Sequence, residues 1–407
     1  MSSRLEALLM SRLSLGSFAL ALLLAVAFVA HEAPAQPKEL DAAEKVRFET
    51  ADGVKIQGEF YRSAVKGAPV VMMLHNIGES SAKEKWIDLA KTLQPTFSVL
   101  TFDFRGHGNS VEIDPELYFR YPANVRATKG ASPKKTKLDW RDIDKNAYTL
   151  FINDIAAAKG YLERTKNDLG ICNTANTFVI GVDQSATLAA IWANSEFHRY
   201  KFDFIPPFFQ VKMESKAEGQ NITGLVCLGI SPKLGTRPVS LLKTLDYPCR
   251  QNQMPILLVH GDGDPKDKAS LQDKETAKFL EKAIKIPLAG KKDDPKFAFT
   301  KAVELKNAGK LRGVDLLAKS LNTSQGINTY LKSLASEKAN EWSAHEFAKS
   351  KYGWKVNPDP NELPIAAKVF TYETPFPPNP IFPVGGNLPE TVDRNLAFDT
   401  YEIFVGR

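Results

Sequence analysis

The chain has 407 residues, 43% of them hydrophobic and 25% charged, with a formal net charge of +6. That balance excludes a disordered or fibrous chain, and so mild a charge argues against a nucleic-acid-binding surface. The length exceeds one minimal domain, so either one sizeable core with insertions or two domains is required.

The first element is a leader. Leu13 to Ala30 is apolar and uncharged, Arg4 and Arg12 precede it, and Ala33-Pro34-Ala35 supplies a small-x-small cleavage site. Residues 1–35 read as a secretory signal peptide, which makes the protein exported, periplasmic or extracellular, with no stable membrane span after cleavage. The alternative is an uncleaved anchor, since the run is long enough to cross a bilayer. Arg4, Arg12, Glu6 and Glu32 cancel, so the mature chain keeps its +6.

Val46 to Thr50 and Lys55 to Tyr61 flank the turn signal Ala51-Asp52-Gly53, which predicts a hairpin. Pro69 to Leu74 is a continuous apolar run, Glu84 to Leu93 has helical spacing, and Phe97 to Phe102 is a second buried-type strand. From Tyr148 to Leu162 the apolar residues recur at three- and four-residue steps, predicting an amphipathic helix. A strand at Thr177 to Gly181, a helix at Ala186 to Asn194 and strands at Ile222 to Ile230 and Pro255 to His260 follow. A helix near Thr276 to Ile284, a strand at Phe297 to Leu305 and a helix at Val314 to Leu334 complete the alternation. Buried strands alternating with helices require a mainly parallel sheet covered on both faces, an α/β fold with its ligand site beyond the carboxyl ends of the strands.

Three stretches exceed that pattern. The insertion at 111–145 is aromatic and basic, with Lys129, Lys134, Lys135 and Lys137 in a polar loop; the insertion at 199–220 contains the apolar run Phe202 to Phe209. Either could fold over the carboxyl edge of the sheet as a lid. Residues 341–407 form a proline-rich extension in which Ala366 to Tyr372 and Tyr401 to Val405 look like strands of a small β element. The main domain is thus bounded at 36–340.

Three cysteines in an exported chain permit one internal disulfide. Cys227 lies in an apolar run and reads as a buried thiol. Cys172 and Cys249 each precede a predicted strand, at the same end of a parallel sheet, and form the disulfide candidate; three free thiols are the alternative. Nothing in the sequence calls for a cofactor or a metal.

Several loops carry a family resemblance. Met73-Leu74-His75-Asn76-Ile77-Gly78-Glu79-Ser80 resembles the oxyanion loop of the α/β-hydrolase superfamily. Thr101-Phe102-Asp103-Phe104-Arg105-Gly106-His107-Gly108-Asn109-Ser110 is similar to the segment after that family's fourth strand, and Val259-His260-Gly261-Asp262-Gly263-Asp264-Pro265 to the loop carrying its acid. The resemblance spans Val46 to Leu334. It implies an α/β-hydrolase fold, with Asp264 as the acid and oxyanion-hole backbone amides at Ile77 and Gln184.

The nucleophile elbow should follow the strand Thr177 to Gly181, in the run Gly181-Val182-Asp183-Gln184-Ser185. A strained strand-to-helix turn needs small residues two before and two after its apex, which Gly181 and Ser185 supply, so Asp183 stands where the family has its nucleophile. Placing Ser185 at the apex would put Asp183 and Thr187 at the tight positions. Where the family has its histidine, the run Ala308-Gly309-Lys310 puts Lys310. His75, His107 and His260 lie where the family has histidines without chemical roles; His198 ends a helix, and His345 lies beyond the resembling region.

Ester hydrolysis needs a hydroxyl or thiol nucleophile with a base in reach. Asp183 supplies neither, although an elbow aspartate resembles the nucleophile of haloalkane dehalogenases and epoxide hydrolases. A working base at Lys310 would need its pKa lowered by roughly three units. Asp183 and Asp264 would instead hold it protonated, in a satisfied polar cluster. Three readings follow: a hydrolase-like protein binding a small molecule or partner in the former active-site cleft without ordinary serine-esterase activity, a hydrolase using Asp183 as nucleophile, or a scaffold acting through its C-terminal extension.

Overall fold

The computed structural model describes residues 40–128, 132–205, 210–285, 298–336, 341, 351–355 and 369–370. The segment expected to be a signal peptide, Lys129 and its neighbours at 130–131, His345 and the strand expected at Tyr401 to Val405 lie outside them.

Eight strands form the main sheet. They are β1 (Glu44–Glu49), β2 (Lys55–Tyr61), β3 (Ala68–Leu74), β4 (Ser98–Phe102), β5 (Cys172–Val182), β6 (Ile222–Leu228), β7 (Ile256–Gly261) and β8 (Lys301–Leu305). Their spatial order is β1-β2-β4-β3-β5-β6-β7-β8. β1 and β2 pair as the expected antiparallel hairpin, β2 runs antiparallel to β4, and every pair from β4 onward is parallel.

The inner strands are apolar without alternation because both sheet faces are covered. In β3, Val70, Met72 and Leu74 belong to one core with Leu100, Phe102, Val179, Ile155 and Trp192. Val71 and Met73 point the other way, into a second core with Val99, Phe178, Ile180, Trp86 and Leu331. The first core is roofed by α2 (Ile152–Leu162) and α3 (Gln184–Phe197), the second by α1 (Glu84–Leu93) and α5 (Thr323–Ala335); α4 (Lys268–Lys285) flanks β7. Full burial of one such side chain contributes roughly 1.5–3 kcal/mol.

Helix boundaries differ from the sequence periodicity where backbone breaks the pattern. The run at Tyr148 to Leu162 begins as a 3-10 segment, Lys145–Phe151, before α2. The run at Val314 to Leu334 splits into two short 3-10 turns and α5, because Asn322 enters left-handed backbone at φ 52°.

The loop after β4 is pinned from beneath. The Arg105 guanidinium is fully buried between Asp52 (2.7 Å) and Asp154 (2.7 Å), and the Arg105 N–H donates to Asp154. This ties the β1–β2 turn, the β4 loop and α2 into one unit; removing one partner would strand a buried charge.

The two insertions sit at opposite edges. The 111–145 segment leaves the carboxyl end of β4 and returns across it: Trp140 stacks on His107 at 5.3 Å, and a side chain on Gly78 would meet the same indole. The 199–220 segment does not lie over the carboxyl edge, contrary to the sequence expectation. α3 starts at the carboxyl end of β5 and runs back across the sheet, so the hairpin that follows it, Arg199–Ile205 and Gln210–Ala217, emerges at the amino edge and leads into the start of β6. Strands Lys351–Lys355 and Val369–Phe370 extend that hairpin to a four-stranded sheet.

The proposed Cys172–Cys249 disulfide is not formed. Cys172, Cys227 and Cys249 are free and buried, and the thiol that acts on Cys227 is Cys249, whereas Cys172 lies near Lys159 and Lys166. Among the described residues no helix is long and apolar enough to cross a membrane.

Candidate active site

The bend between β5 and α3 has its apex at Asp183, with φ 48° and ψ −117°. This is backbone that a residue with a Cβ adopts at a cost of order 1–3 kcal/mol. The tightness explains the small neighbours: a Cβ on Gly181 would lie 2.6 Å from the Ala186 Cα. Ser185 is fully buried, and its Oγ donates to carbonyl oxygens of Leu74 and Val182 at 2.8 Å while accepting the Val182 N–H. It fastens the elbow to the end of β3 and faces away from any reacting position.

Asp183 is mostly buried, and burial pushes its carboxyl pKa up. The nearby Arg312 guanidinium pulls it down, Asp273 and Glu79 push it further up, and a hydrogen bond from Asn76 Nδ2 (3.4 Å) pulls it down. The Asn76 Oδ1 is buried without a partner.

Of the two aspartates expected to pair with Lys310, the structure gives it Asp264. Its side chain is 67% exposed and lies 3.7 Å from Asp264, outside the elbow. The Asp264 carboxylate also accepts the Lys266 N–H in its own turn. The cation that acts electrostatically on Asp183 is Arg312, two residues further on. Its Nε and Nη2 donate to the two carboxylate oxygens of Asp273 at 2.6 and 2.8 Å, and Asp273 is 5% exposed. The guanidinium is thus paired with a buried carboxylate of α4 and influences the elbow carboxylate electrostatically, with no ion pair to it among the described residues.

The β8 loop reaches this position through backbone that its sequence permits. Asn307, Gly309 and Gly313 all have positive φ, and Asp262 accepts the N–H groups of Asn307 (3.0 Å) and Gly309 (2.8 Å), which hold its own pKa down. Lys310 sits on the outer side of that bend and Arg312 on the inner. Neither Arg312 nor Asp273 was assigned a role from the sequence. A signal for Asp273 existed: the buried positions of α4 are Ser270, Asp273, Ala277, Leu280 and Ile284, so a carboxylate occupies the inward stripe of an amphipathic helix.

The oxyanion loop is braced by neutral imidazoles. His75 Nε2 accepts the Phe104 N–H (2.9 Å) and its Nδ1–H donates to the Asn76 carbonyl (2.7 Å). Burial lowers its pKa to about 4, with His107 adding to the effect. His107 Nε2 accepts the Gly78 N–H at 2.8 Å, and burial holds its pKa down as well. Ile77 lies between these braced residues, and Gln184 opens α3 next to the apex, with its side chain accepting the Gly235 N–H. His198 and His260 are engaged with backbone carbonyls elsewhere. Among the described residues no imidazole contacts Asp183.

A carboxylate at this apex could attack an electrophilic carbon, but the cluster holds no base for a second step. Arginine is protonated throughout the physiological pH range, and the hydrogen bonds to Asp273 push the Arg312 pKa further up.

No protein-family model matches the chain, and no curated protein matches its sequence. Solved structures similar to it include a Pyrococcus furiosus esterase, at 16% identity with a TM-score of 0.44, covering 72% of this chain and 93% of that one. A dienelactone hydrolase from Anabaena variabilis is 12% identical, TM-score 0.42, covering 74% and 99%; Est1E from Butyrivibrio proteoclasticus is 11% identical, TM-score 0.43, covering 72% and 99%. With a strand order of 1-2-4-3-5-6-7-8, a strained elbow after the fifth strand and the loops of the third, fourth and eighth strands gathered around it, this chain has the α/β-hydrolase fold.

Proposed function

We propose that this is an exported α/β-hydrolase-like protein that binds a small molecule or partner in the former active-site cleft, without ordinary serine-esterase activity. The observation that supports the reading is the carboxylate at the elbow apex, Asp183, with the Arg312 guanidinium among its charged neighbours and no imidazole in contact with it among the described residues. A guanidinium cannot accept a proton at physiological pH, and the serine nearest the apex is consumed by backbone hydrogen bonds. The charges favour a neutral or cationic ligand over an anion, because the apex itself is a carboxylate.

The experiment is acyl-ester turnover with p-nitrophenyl acetate by the intact protein and by Asp183→Ala. Equal background rates are expected; turnover that vanishes in the variant would overturn the reading. The strained apex favours one second reading, an Asp183 nucleophile acting on an epoxide or halide. That reading requires a covalent adduct on Asp183 in intact-mass spectra after exposure to alkylating electrophiles. With no base to hydrolyse it, such an adduct would accumulate at one equivalent rather than turn over.

A further inference from the structure

Among the described residues five large hydrophobic side chains are exposed: Leu40 (36%), Val65 (52%), Val125 (49%), Leu169 (71%) and Phe279 (59%). Three of them stand at one end of the sheet. Leu40 precedes β1, Val65 lies in the turn from β2 to β3, and Leu169 lies in the turn before β5. β1 starts against the end of β2, where Glu44 pairs with Phe60, and β2 ends against the start of β4, where Tyr61 pairs with Val99. Because β3, β4 and β5 run parallel from that end, all three side chains belong to the amino edge, opposite the elbow.

The turns are stitched together. Gln94 Nε2 donates to the carbonyl oxygens of Asp41 (2.8 Å) and Arg62 (3.1 Å), and a side chain on Gly170 would meet Lys66 Cε at 3.9 Å. Arg62 and Lys66 are exposed on either side of Val65, and Asp41 and Asp168 are exposed at the same edge, so the face is apolar and mixed in charge rather than strongly cationic. The chain upstream of Leu40 departs from this edge. It contains the uncharged apolar run Leu13 to Ala30, long enough to cross a bilayer, and the nine residues from His31 to Glu39 reach at most about 30 Å. So short a tether keeps the face it leaves from at high effective concentration against the membrane.

We propose that the amino edge of the sheet is a docking face for a phospholipid bilayer, in which the run Leu13 to Ala30 stays as an anchor. Leu40, Val65 and Leu169 enter the boundary between headgroups and acyl chains, while Arg62 and Lys66 lay their stems along it and reach the phosphates. This takes the uncleaved alternative for the leader and is independent of the function proposed for the elbow. The seven residues of β3 span about 23 Å, which sets the elbow that far from the membrane, on the aqueous side.

The test is spin labelling of the full chain reconstituted in phosphatidylcholine vesicles, with and without phosphatidylglycerol. Cys172, Cys227 and Cys249 are buried, so a label attaches to one introduced cysteine at a time. Leu40→Cys, Val65→Cys and Leu169→Cys report the face; Val125→Cys and Lys310→Cys, both exposed, report the carboxyl edge. The ratio of collisions with oxygen to collisions with a water-soluble nickel chelate should be about fivefold higher at the three face positions than at the two controls, in both lipids. Leu169→Glu should lower the ratio at Val65→Cys about twofold. The chain in the membrane fraction of producing cells should keep residues 1–35 by intact mass. Equal ratios at all five positions, face labels shielded from both reagents as under a protein partner or a second copy, a ratio that Leu169→Glu leaves unchanged, or a chain beginning at Gln36 would each overturn the proposal.

Discussion

Asp183 combines strained backbone, a mostly buried carboxylate and a nearby cation paired with a second acid. Because its folded-state pKa is raised above the unfolded value, its contribution to stability is present at low pH and is lost as pH rises through the folded pKa. Asp183→Asn should therefore be more stable than the parent at pH 7, with the advantage fading as pH falls below the folded pKa; urea denaturation at stepped pH measures it. His75 carries the opposite sign. Its pKa falls from 6.5 to about 4, so its contribution is present above 6.5 and is lost as pH drops toward 4. The loss should reach roughly 3 kcal/mol, and His75→Gln, which keeps one donor and one acceptor for Phe104 and Asn76, should flatten that limb of the stability profile. The residue types at the elbow were legible because a sharp bend tolerates few side chains: Gly181 and Ser185 fixed Asp183 as its apex by size alone.

At the scale of elements, what the sequence carried and what it hid separate cleanly. The strands of the sheet were visible as apolar runs because burial on both faces leaves no polar alternation to confuse. The β8 loop was not, since a histidine-like register counted along the chain assumes a loop conformation that Asp262, far away in sequence, imposes. The pair Asp183→Ser with Arg312→His should create measurable p-nitrophenyl acetate hydrolysis, whereas Asp183→Ser with Lys310→His should remain at background; initial rates at pH 8 decide between them. The reverse outcome would return Lys310 to the site. The Cys172–Cys249 pairing failed for a related reason: lying at one end of a sheet says nothing about separation across it, and Cys249 packs toward Cys227.

Taken whole, the molecule keeps its two kinds of surface apart. The elbow, the braced oxyanion loop and Trp140 gather at the carboxyl edge of the sheet. The hairpin from Arg199 to Ala217, with the strands from the C-terminal extension, occupies the amino edge. The sequence showed that both insertions existed but gave no sign of which edge each would take, because that depends on the direction α3 runs. Removing residues 351–407 should abolish hydrogen-exchange protection along Arg199–Ile205 while β5 and α3 retain theirs, as among the described residues the extension pairs with the rest of the chain only through that hairpin's strand. Equal loss in β5 would mean that the extension supports the main sheet as well.

α3 has a mechanical consequence. Its 14 residues make a strut roughly 21 Å long, with the strained apex at one end and the accessory sheet at the other, buried along nearly its whole length. A rod so tightly encased pivots as one piece or not at all. A load applied to the far sheet would reach the Asp183 carboxylate as a change in tilt, without passing through any intervening loop.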